Sequence, residues 1–151
     1  HLPNSAVIAT GKRDGSKIRL PNGNYLEETA SYYVMIDTKT GGYTPALITM
    51  KSTQLNVSKK WNSMMKTIQI PDGKGGFAIP PMHGVVYNLA STLQKNDKGS
   101  WYGWVVTQDR ILGQEDKALY LSAKDFSGNV SKGTVQTKAD VEEKVSDSTP
   151  Y

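Results

Sequence analysis

The feature that most constrains this chain is the stretch from Lys95 to Trp104, where a basic turn runs directly into a strand with three large aromatic rings. Side chains alternate between the two faces of a strand, so Trp101 and Gly103 share one face while Tyr102 and Trp104 share the other. A single core covers only one of these faces, and the other needs a partner. We predict that the Tyr102 and Trp104 face is buried and that the Trp101 face, relieved by Gly103, meets a ligand.

Length and composition limit the class of protein. A chain of 151 residues fits one domain that buries about two-thirds of its unfolded surface, enough to fold without disulfides or metals. The absence of cysteine excludes a disulfide scaffold, a thiol nucleophile and cysteine-ligated zinc, and is typical of a reducing compartment. No apolar run approaches the roughly 20 residues that span a bilayer, and no signal pattern opens the chain. We therefore expect a soluble, cytoplasmic protein with no membrane partner.

The charge is unevenly distributed along the chain. The net charge is +4, but residues 138–151 hold two lysines and four acids, which leaves residues 1–137 at +6. A basic body attracts polyanions and an acidic tail is a handle for partners, although a charge of this size is also ordinary for solubility. We expect one domain over residues 1–134 and a flexible, mildly acidic tail over residues 135–151, where the sequence is polar and lacks periodicity.

Turn-forming residues divide the body into short strands. Residues 6–20 alternate short apolar runs with glycine-rich turns, as hairpins do. Residues 32–36 and 43–50 predict a further hairpin, with Pro45 near the strand start or on an edge. The main hairpin joins residues 84–93 to 101–108 through a six-residue turn, with a bend or bulge at Gly103. This pattern predicts a mainly β fold.

Two helices interrupt the strands. Ser52 or Thr53 is a candidate N-cap for a helix that ends near Thr67, before the glycine-rich loop 71–76. The helix is amphipathic: Trp61 lies on its apolar stripe and is interpreted as core, while its lysines form an outer face that is either solvated or phosphate-binding. A short second helix is predicted over residues 115–126, with acids in its first turn.

The residues that catalysis would need are few. His83 lies in a proline-rich loop with no second metal ligand at helical spacing, so a surface histidine is favoured. Residues 73–76 are a weak phosphate cradle because no helix follows them. Asp109, Glu115 and Asp116 have the chemistry to bind a divalent ion, but carboxylates near turns are common. No Walker loop, nucleophile elbow or dinucleotide-binding motif is present. We expect no enzymatic activity and no cofactor.

The aromatic composition favours a binding surface. The chain has eight tyrosines and three tryptophans but only two phenylalanines. Tyrosine and tryptophan combine a flat apolar face with a polar edge, and such rings stack on the bases of single strands with about 1–3 kcal/mol per base. Tyrosine is also a good strand former, so a tyrosine-rich β protein without a ligand is the alternative.

Three groups of residues in this order are informative together: Ala46 to Met50 with Lys51-Ser52-Thr53-Gln54-Leu55, then Lys59-Lys60-Trp61-Asn62, and Tyr87 with Asn96 to Tyr102. They resemble small proteins encoded in tailed-phage genomes and the OB-type single-stranded DNA-binding proteins of phages. The resemblance covers residues 6–128 and implies a small five-stranded OB-like barrel with one inserted amphipathic helix, to which the pattern above adds a short C-terminal helix. It also implies sequence-tolerant binding of single-stranded DNA and an acidic tail that contacts replication proteins, although residues 140–151 are only weakly acidic.

The resulting hypothesis is a phage single-stranded DNA-binding protein that acts in DNA replication or recombination without chemistry of its own. The alternatives are a phage virion structural or assembly protein, whose aromatic face is buried between subunits, and a modulator of a host polymerase. The sequence does not separate DNA from RNA, because that choice depends on a few contacts to the 2′-hydroxyl. Stacking is assigned to Trp101, Tyr87 and Tyr33, with Tyr102 in reserve if the strand faces are reversed, and phosphate contacts to Lys51, Lys59, Lys95 and Lys98.

Overall fold

The strands pair with their neighbours in sequence and form antiparallel hairpins. The computed structural model describes residues 5–15 and 17–135, so all of the predicted tail except Val135 lies outside the described residues. The elements of the described part are α1 (Ser5–Ala9), β1 (Lys12–Asp14), β2 (Lys17–Arg19), β3 (Tyr25–Glu27), β4 (Thr29–Asp37), β5 (Tyr43–Lys51), α2 (Leu55–Thr67), β6 (Ile70–Pro71), β7 (Phe77–Ala78), β8 (Val85–Asn96), β9 (Gly99–Ile111) and α3 (Lys117–Ser131).

The fold is mainly β, as the sequence predicted, but its strands lie in four sheets that share no strand. The sheets are β1-β2-β3, β4-β5, β6-β7 and β8-β9. No closed barrel is present in the described residues, so the five-stranded barrel that the resemblance implied is not observed there. On the outer edge of β9 the backbone N–H of Trp104 donates to the side chain of Gln54 (2.8 Å) rather than to a neighbouring strand. The side chain of Gln54 thus accepts the hydrogen bond that a further strand would otherwise accept at this position.

The two long hairpins differ from the predicted ones mainly in length. β4 and β5 pair over nine residues each, with Pro45 third in its strand, which confirms that hairpin and the edge position of its proline. β8 and β9 pair from Val85↔Ile111 to Asn96↔Gly99, so only Asp97 and Lys98 remain in the turn and the predicted six-residue turn was wrong. The strands extend because residues on both sides of the turn continue the ladder.

Two local predictions were also wrong. The register irregularity of the β8-β9 hairpin lies at Val86 and Tyr87, whereas Gly103 pairs regularly with Thr92, so the predicted bulge at Gly103 is absent. At the N-terminus, Ser5–Ala9 is helical rather than extended. Four or five residues of small and β-branched side chains do not distinguish a helical turn from a strand by periodicity, which explains this second error.

The core is small and is centred on α2. Among the described residues, four apolar side chains other than proline are buried: Leu20, Met50, Trp61 and Ile68. Trp61, from α2, is 5% exposed and its ring lies 4.4 Å from that of Tyr32 on β4 and 5.6 Å from that of Tyr87 on β8. This aromatic cluster joins the helix to both hairpins. The interpretation of Trp61 as core is therefore confirmed.

Hydrogen bonds secure the same contact. The Tyr32 hydroxyl lies 2.7 Å from Oγ of Ser58 and donates to Oδ1 of Asn62 (3.1 Å), both on α2. Because Ser58 is buried, this pairing satisfies a polar group that would otherwise lose its water without compensation. The Tyr32 contact therefore fixes α2 on the inner face of the β4-β5 hairpin.

Both predicted helices form. A 3₁₀ turn over Ser52–Gln54 precedes α2, which ends at Thr67 as predicted, but neither Ser52 nor Thr53 caps it through its side chain. The outer lysines of α2 are exposed and its apolar stripe is buried or half-buried. α3 extends to Ser131, five residues beyond the predicted end. None of the helices in the described part combines the length and apolar character needed to cross a bilayer.

Candidate nucleic-acid interface

One face of the β8-β9 hairpin becomes progressively more exposed toward its turn. Leu89 and Val106 face each other across the two strands and are half-buried. Further out, Trp104 is 38% exposed, and the cross-strand pair of Leu93 and Tyr102 is 48% and 74% exposed. Residues two positions apart on a strand share a face, and so do residues paired across two strands, so all five side chains lie on this face. The distal part, made of Leu93, Tyr102 and Trp104, is called the ribbon tip below.

The length of the hairpin explains why the ribbon tip is uncovered. Strands of 12 and 13 residues reach about 40 Å at about 3.3 Å per residue, whereas the 13 residues of α2 reach about 20 Å at 1.5 Å per residue. The helix therefore cannot cover the whole face. The prediction that Tyr102 and Trp104 lie in the core was wrong, although half-buried Val106 shows that the inner part of the same face is covered.

Basic side chains flank the ribbon tip. Lys95 pairs with Ser100. It lies two positions after Leu93 on β8, so its side chain is on the same face as that of Tyr102, the residue paired with Leu93. Lys98 lies in the two-residue turn, where its backbone N–H donates to Oδ1 of Asn96 (2.8 Å). Both lysine side chains are exposed. The structure thus brings two predicted phosphate contacts next to two aromatic rings.

The opposite face of the hairpin meets the 3₁₀ turn before α2. Gly103 is buried there, and a Cβ at this position would stand 2.6 Å from Nε2 of Gln54. Beside it, an open groove of about 330 Å³ separates the 3₁₀ turn from the end of the hairpin. Trp101 is half-buried in this groove. The groove is lined by Ser52, Thr53, Asn96, Lys98, Gly99, Ser100 and Trp101.

Three of the predicted contacts lie away from the ribbon tip. Tyr87 is half-buried against Trp61, and burial raises the pKa of its phenol above the ordinary value. Tyr33 is exposed on the outer face of β4, and Lys59 is exposed on α2. Lys51, at the end of β5, forms a 3.5 Å ion pair with Glu27 and directly precedes the groove residue Ser52. The structure therefore places Tyr102 and Lys95 on one face at the outer end of the hairpin, and Trp101 and Lys98 in the groove on the other face, which Lys51 adjoins.

The other candidate sites are occupied by their own neighbours. The carboxylate of Asp72 accepts the backbone N–H groups of Lys74 (2.7 Å) and Gly76 (2.9 Å), which lowers the pKa of Asp72. Two N–H groups of the suggested phosphate cradle are thus bound by the loop itself. The side chain of Arg110 holds Asp116 and lowers the pKa of that carboxyl group. No cluster of three or more metal-ligating side chains occurs within residues 5–15 and 17–135.

Sequence reasoning missed Trp104 and Leu93 as surface residues. The alternation placed Trp104 and Tyr102 correctly on one face, but it did not show where along the strand that face leaves the core. The usable signal was length: the apolar alternation of the hairpin continues beyond what a 13-residue helix is able to cover.

A known protein family matches most of the chain. Residues 2–136 match the family model of the Pam3 phage gp34-like proteins. No curated protein and no solved structure matches the chain. Because the match spans most of the sequence, the chain belongs to the Pam3 phage gp34-like protein family and is a phage protein.

Proposed function

We propose that this member of a phage protein family binds single-stranded DNA in a sequence-tolerant manner and serves phage DNA replication or recombination. The observation that carries the proposal is the ribbon tip, where Tyr102 and Trp104 are exposed on the face that also bears Lys95. Exposed rings beside ammonium groups are the combination that binds single strands, because rings stack on bases and cations contact phosphates. A two-stranded ribbon would supply this surface without a barrel.

The spacing of the two rings favours a strand that is not in a duplex. Side chains two residues apart on one face stand about 6.8 Å apart along a strand. This is about twice the 3.4 Å by which one strand of a duplex advances along the helix axis per nucleotide. Bases in contact with both Tyr102 and Trp104 would therefore have to leave their regular stack, which costs least for a strand that is not paired.

The remaining predicted residues take different roles in this proposal. Trp101 and Lys98 share the groove next to the tip, and Lys51 adjoins it, so these three would contact the strand as it leaves the ribbon. Tyr87 would act indirectly by packing on Trp61. Tyr33 and Lys59 lie outside the ribbon tip and the groove, and would contribute only if the strand also crosses the β4-β5 hairpin or α2.

A fluorescence titration with poly-dT at two salt concentrations tests the proposal. Tryptophan emission should be quenched because Trp104 lies in the contact surface and Trp101 beside it. Tyr102→Ala should weaken binding roughly 5- to 150-fold, the equivalent of one stacking contact, whatever the base sequence. Lys98→Ala should reduce the slope of log affinity against log salt by roughly 0.7. Tyr43→Ala, which removes a 44% exposed tyrosine from the other hairpin, is the matched control and should change neither quantity.

Two results would count against this function. Unchanged tryptophan emission at low salt would show that the ribbon tip does not meet DNA. Equal losses from Tyr102→Ala and Tyr43→Ala would show that the effect of Tyr102 is not that of a stacking ring at a defined site.

A second candidate function, as a virion structural or assembly protein, is favoured by a different observation. Phe77, Ile79 and Met82 are largely exposed within one short segment, and exposed apolar patches often mark protein interfaces. In this case the chain would self-associate at working concentration. Sedimentation velocity should then show an oligomer that Phe77→Ser dissociates, while poly-dT leaves both the oligomer and the tryptophan emission unchanged.

A further inference from the structure

A basic row with an aromatic end crosses the small N-terminal sheet. Lys12 on β1 pairs with Arg19 on β2, and Arg19 in turn pairs with Tyr25 on β3. Directly paired residues of an antiparallel sheet project from the same face, so the three side chains stand side by side. All three are exposed, with Tyr25 at 49%. This set of three is called the sheet row below.

The cations of this sheet are clustered around the tyrosine ring. The guanidinium carbon of Arg19 lies 5.8 Å from the centre of the Tyr25 ring, and Nζ of Lys17 lies 5.9 Å from it. Both distances are within the range of a cation–π contact, which holds the ring in place while leaving about half of it open. Such a ring is ordered before any ligand arrives, so less conformational entropy is lost when a base stacks on it.

The acids of the sheet leave the charge of this row uncompensated. The next row of the same face places Lys17 between Asp14 and Glu27, so its charge is balanced by its neighbours. Lys12 and Arg19 have no acid in their row, and within the described residues neither forms an ion pair. The positive charge of the face is therefore concentrated beside Tyr25.

We propose that the sheet row is a second contact site for the same single strand, in which Lys12 and Arg19 bind phosphate oxygens and Tyr25 stacks on a base. This inference rests on the proposed function and extends it to a surface far from the ribbon tip in sequence. Arginine suits the role because its planar guanidinium donates two hydrogen bonds to one phosphate, and lysine adds a point charge beside it.

A short chain of contacts connects the sheet row with the groove. Lys17 lies directly across from Glu27, Glu27 contacts Lys51 (3.5 Å), and Lys51 is followed by the groove residue Ser52. The ion pair between Glu27 and Lys51 thus joins the N-terminal sheet to the segment that borders the groove. A strand bound at the ribbon tip and the groove would cross this junction to reach the sheet row.

The test separates the two sites because they carry different reporters. All three tryptophans, at positions 61, 101 and 104, lie outside the N-terminal sheet, so their emission reports the tip and groove. Anisotropy of end-labelled dT oligomers reports binding to either site. The double variant Lys12→Ala/Arg19→Ala should keep the full tryptophan quenching at saturation and reduce the salt slope for long oligomers by roughly 1.4, the value for two phosphates on a single strand. Short oligomers, which fill only the tip, should bind it as they bind the wild type.

Three further variants keep the result interpretable. Tyr25→Ala should weaken the binding of long oligomers roughly 5-fold or more without changing the slope. Arg19→Lys, which preserves the charge and protects against a failure to fold, should keep the wild-type slope. Lys39→Ala/Lys74→Ala removes two exposed lysines from other turns and should leave the slope close to that of the wild type.

Each outcome has a defined meaning. In the first outcome, the wild type binds, Tyr102→Ala weakens binding, and Lys12→Ala/Arg19→Ala leaves the salt slope at the value of the wild type or of the Lys39 and Lys74 control. The sheet row is then overturned and the proposed function stands. If long oligomers bind through the sheet row without tryptophan quenching, the ribbon tip is overturned instead. If no oligomer binds the wild type, both proposals fail.

Discussion

The base and the tip of the β8-β9 hairpin contain similar residues in opposite environments. Tyr87 at the base packs on Trp61, and burial raises the pKa of its phenol. Tyr102, on the strand paired with it, is 74% exposed near the turn. The two tyrosines differ in whether α2 reaches them, and not in strand propensity or hydrophobicity. Burial along this hairpin thus depends on how far α2 reaches over it.

The difference also separates the energetic roles of the two regions. A ring at the base contributes to the free energy of unfolding because it leaves water only in the folded state. The Tyr102 ring at the tip remains largely in water and contributes little to folding, so its apolar area is available to a partner. Substitutions at the base should therefore change stability, and those at the tip should change binding.

The largest expected effect comes from Trp61, the centre of the buried cluster. Trp61→Ala removes the ring that joins Tyr32 and Tyr87, and large-to-small changes of this kind cost about 3–5 kcal/mol of unfolding free energy. That is a large part of the stability of an ordinary domain, about 5–15 kcal/mol. Urea denaturation followed by circular dichroism measures the loss.

Trp104→Ala is the matched control, because it deletes the same ring from the tip. We expect a smaller loss than for Trp61→Ala, since Trp104 is 38% exposed in the folded protein and Trp61 only 5%. Similar losses for the two variants would contradict the distinction between base and tip. If Trp61→Ala does not fold, Trp61→Phe should still be clearly less stable than Trp104→Phe.

A smaller effect is expected at the contact that anchors the hairpin to the 3₁₀ turn. Gln54→Ala removes the acceptor of the Trp104 backbone N–H, and a hydrogen bond of this kind contributes about 0.5–1.5 kcal/mol. The Trp104 amide should then exchange with solvent faster, whereas amides paired between the strands nearer the base should keep their rates. Hydrogen exchange followed by NMR measures both. Unchanged exchange at Trp104 would show that this contact does not hold the tip.

The sequence predicted the hairpins and helices better than their assembly. The alternation of residues 32–36 and 43–50 and the amphipathic pattern before Thr67 are local signals, and both elements form where they were expected. The closure of strands into a barrel depends on long-range pairing, for which alternation gives no register. The helical turn at Ser5–Ala9 is too short for periodicity to identify.

The same limit applies to the candidate site. Lys95, Lys98 and Tyr102 were found because they are close in sequence around one turn. The face assignment failed because alternation states which residues share a face, whereas coverage depends on the position of α2. Tyr25 with Lys17 and Arg19 was missed, since strand pairing brings their side chains within 6 Å and no local motif marks them.

The smallest expected effect is a dependence of stability on pH, and it comes from the packed ring of His83. His83 is half-buried with its ring 5.3 Å from that of Tyr120 on α3, and its Nε2 atom is buried without a partner among the described residues. Burial, with a smaller contribution from the charge of Lys124, lowers the pKa of His83 below its ordinary value of 6.5. The unfolded chain therefore binds the proton more readily than the folded one, and the free energy of unfolding should fall as the pH drops below 6.5.

His83→Phe keeps a ring against Tyr120 and removes the titrating group. Between pH 7.5 and pH 5.5, where carboxyl groups remain ionised, the wild type should lose stability relative to this variant, with the difference growing toward the lower pH. His1 is common to both proteins and cancels in the comparison. Parallel stability curves, or an imidazole that titrates at or above 6.5 by NMR, would show that the ring is not packed against α3 as described. Since this contact holds α3 to the segment that leads into β8, it would also weaken the view that the base of the hairpin is fixed while the tip is free.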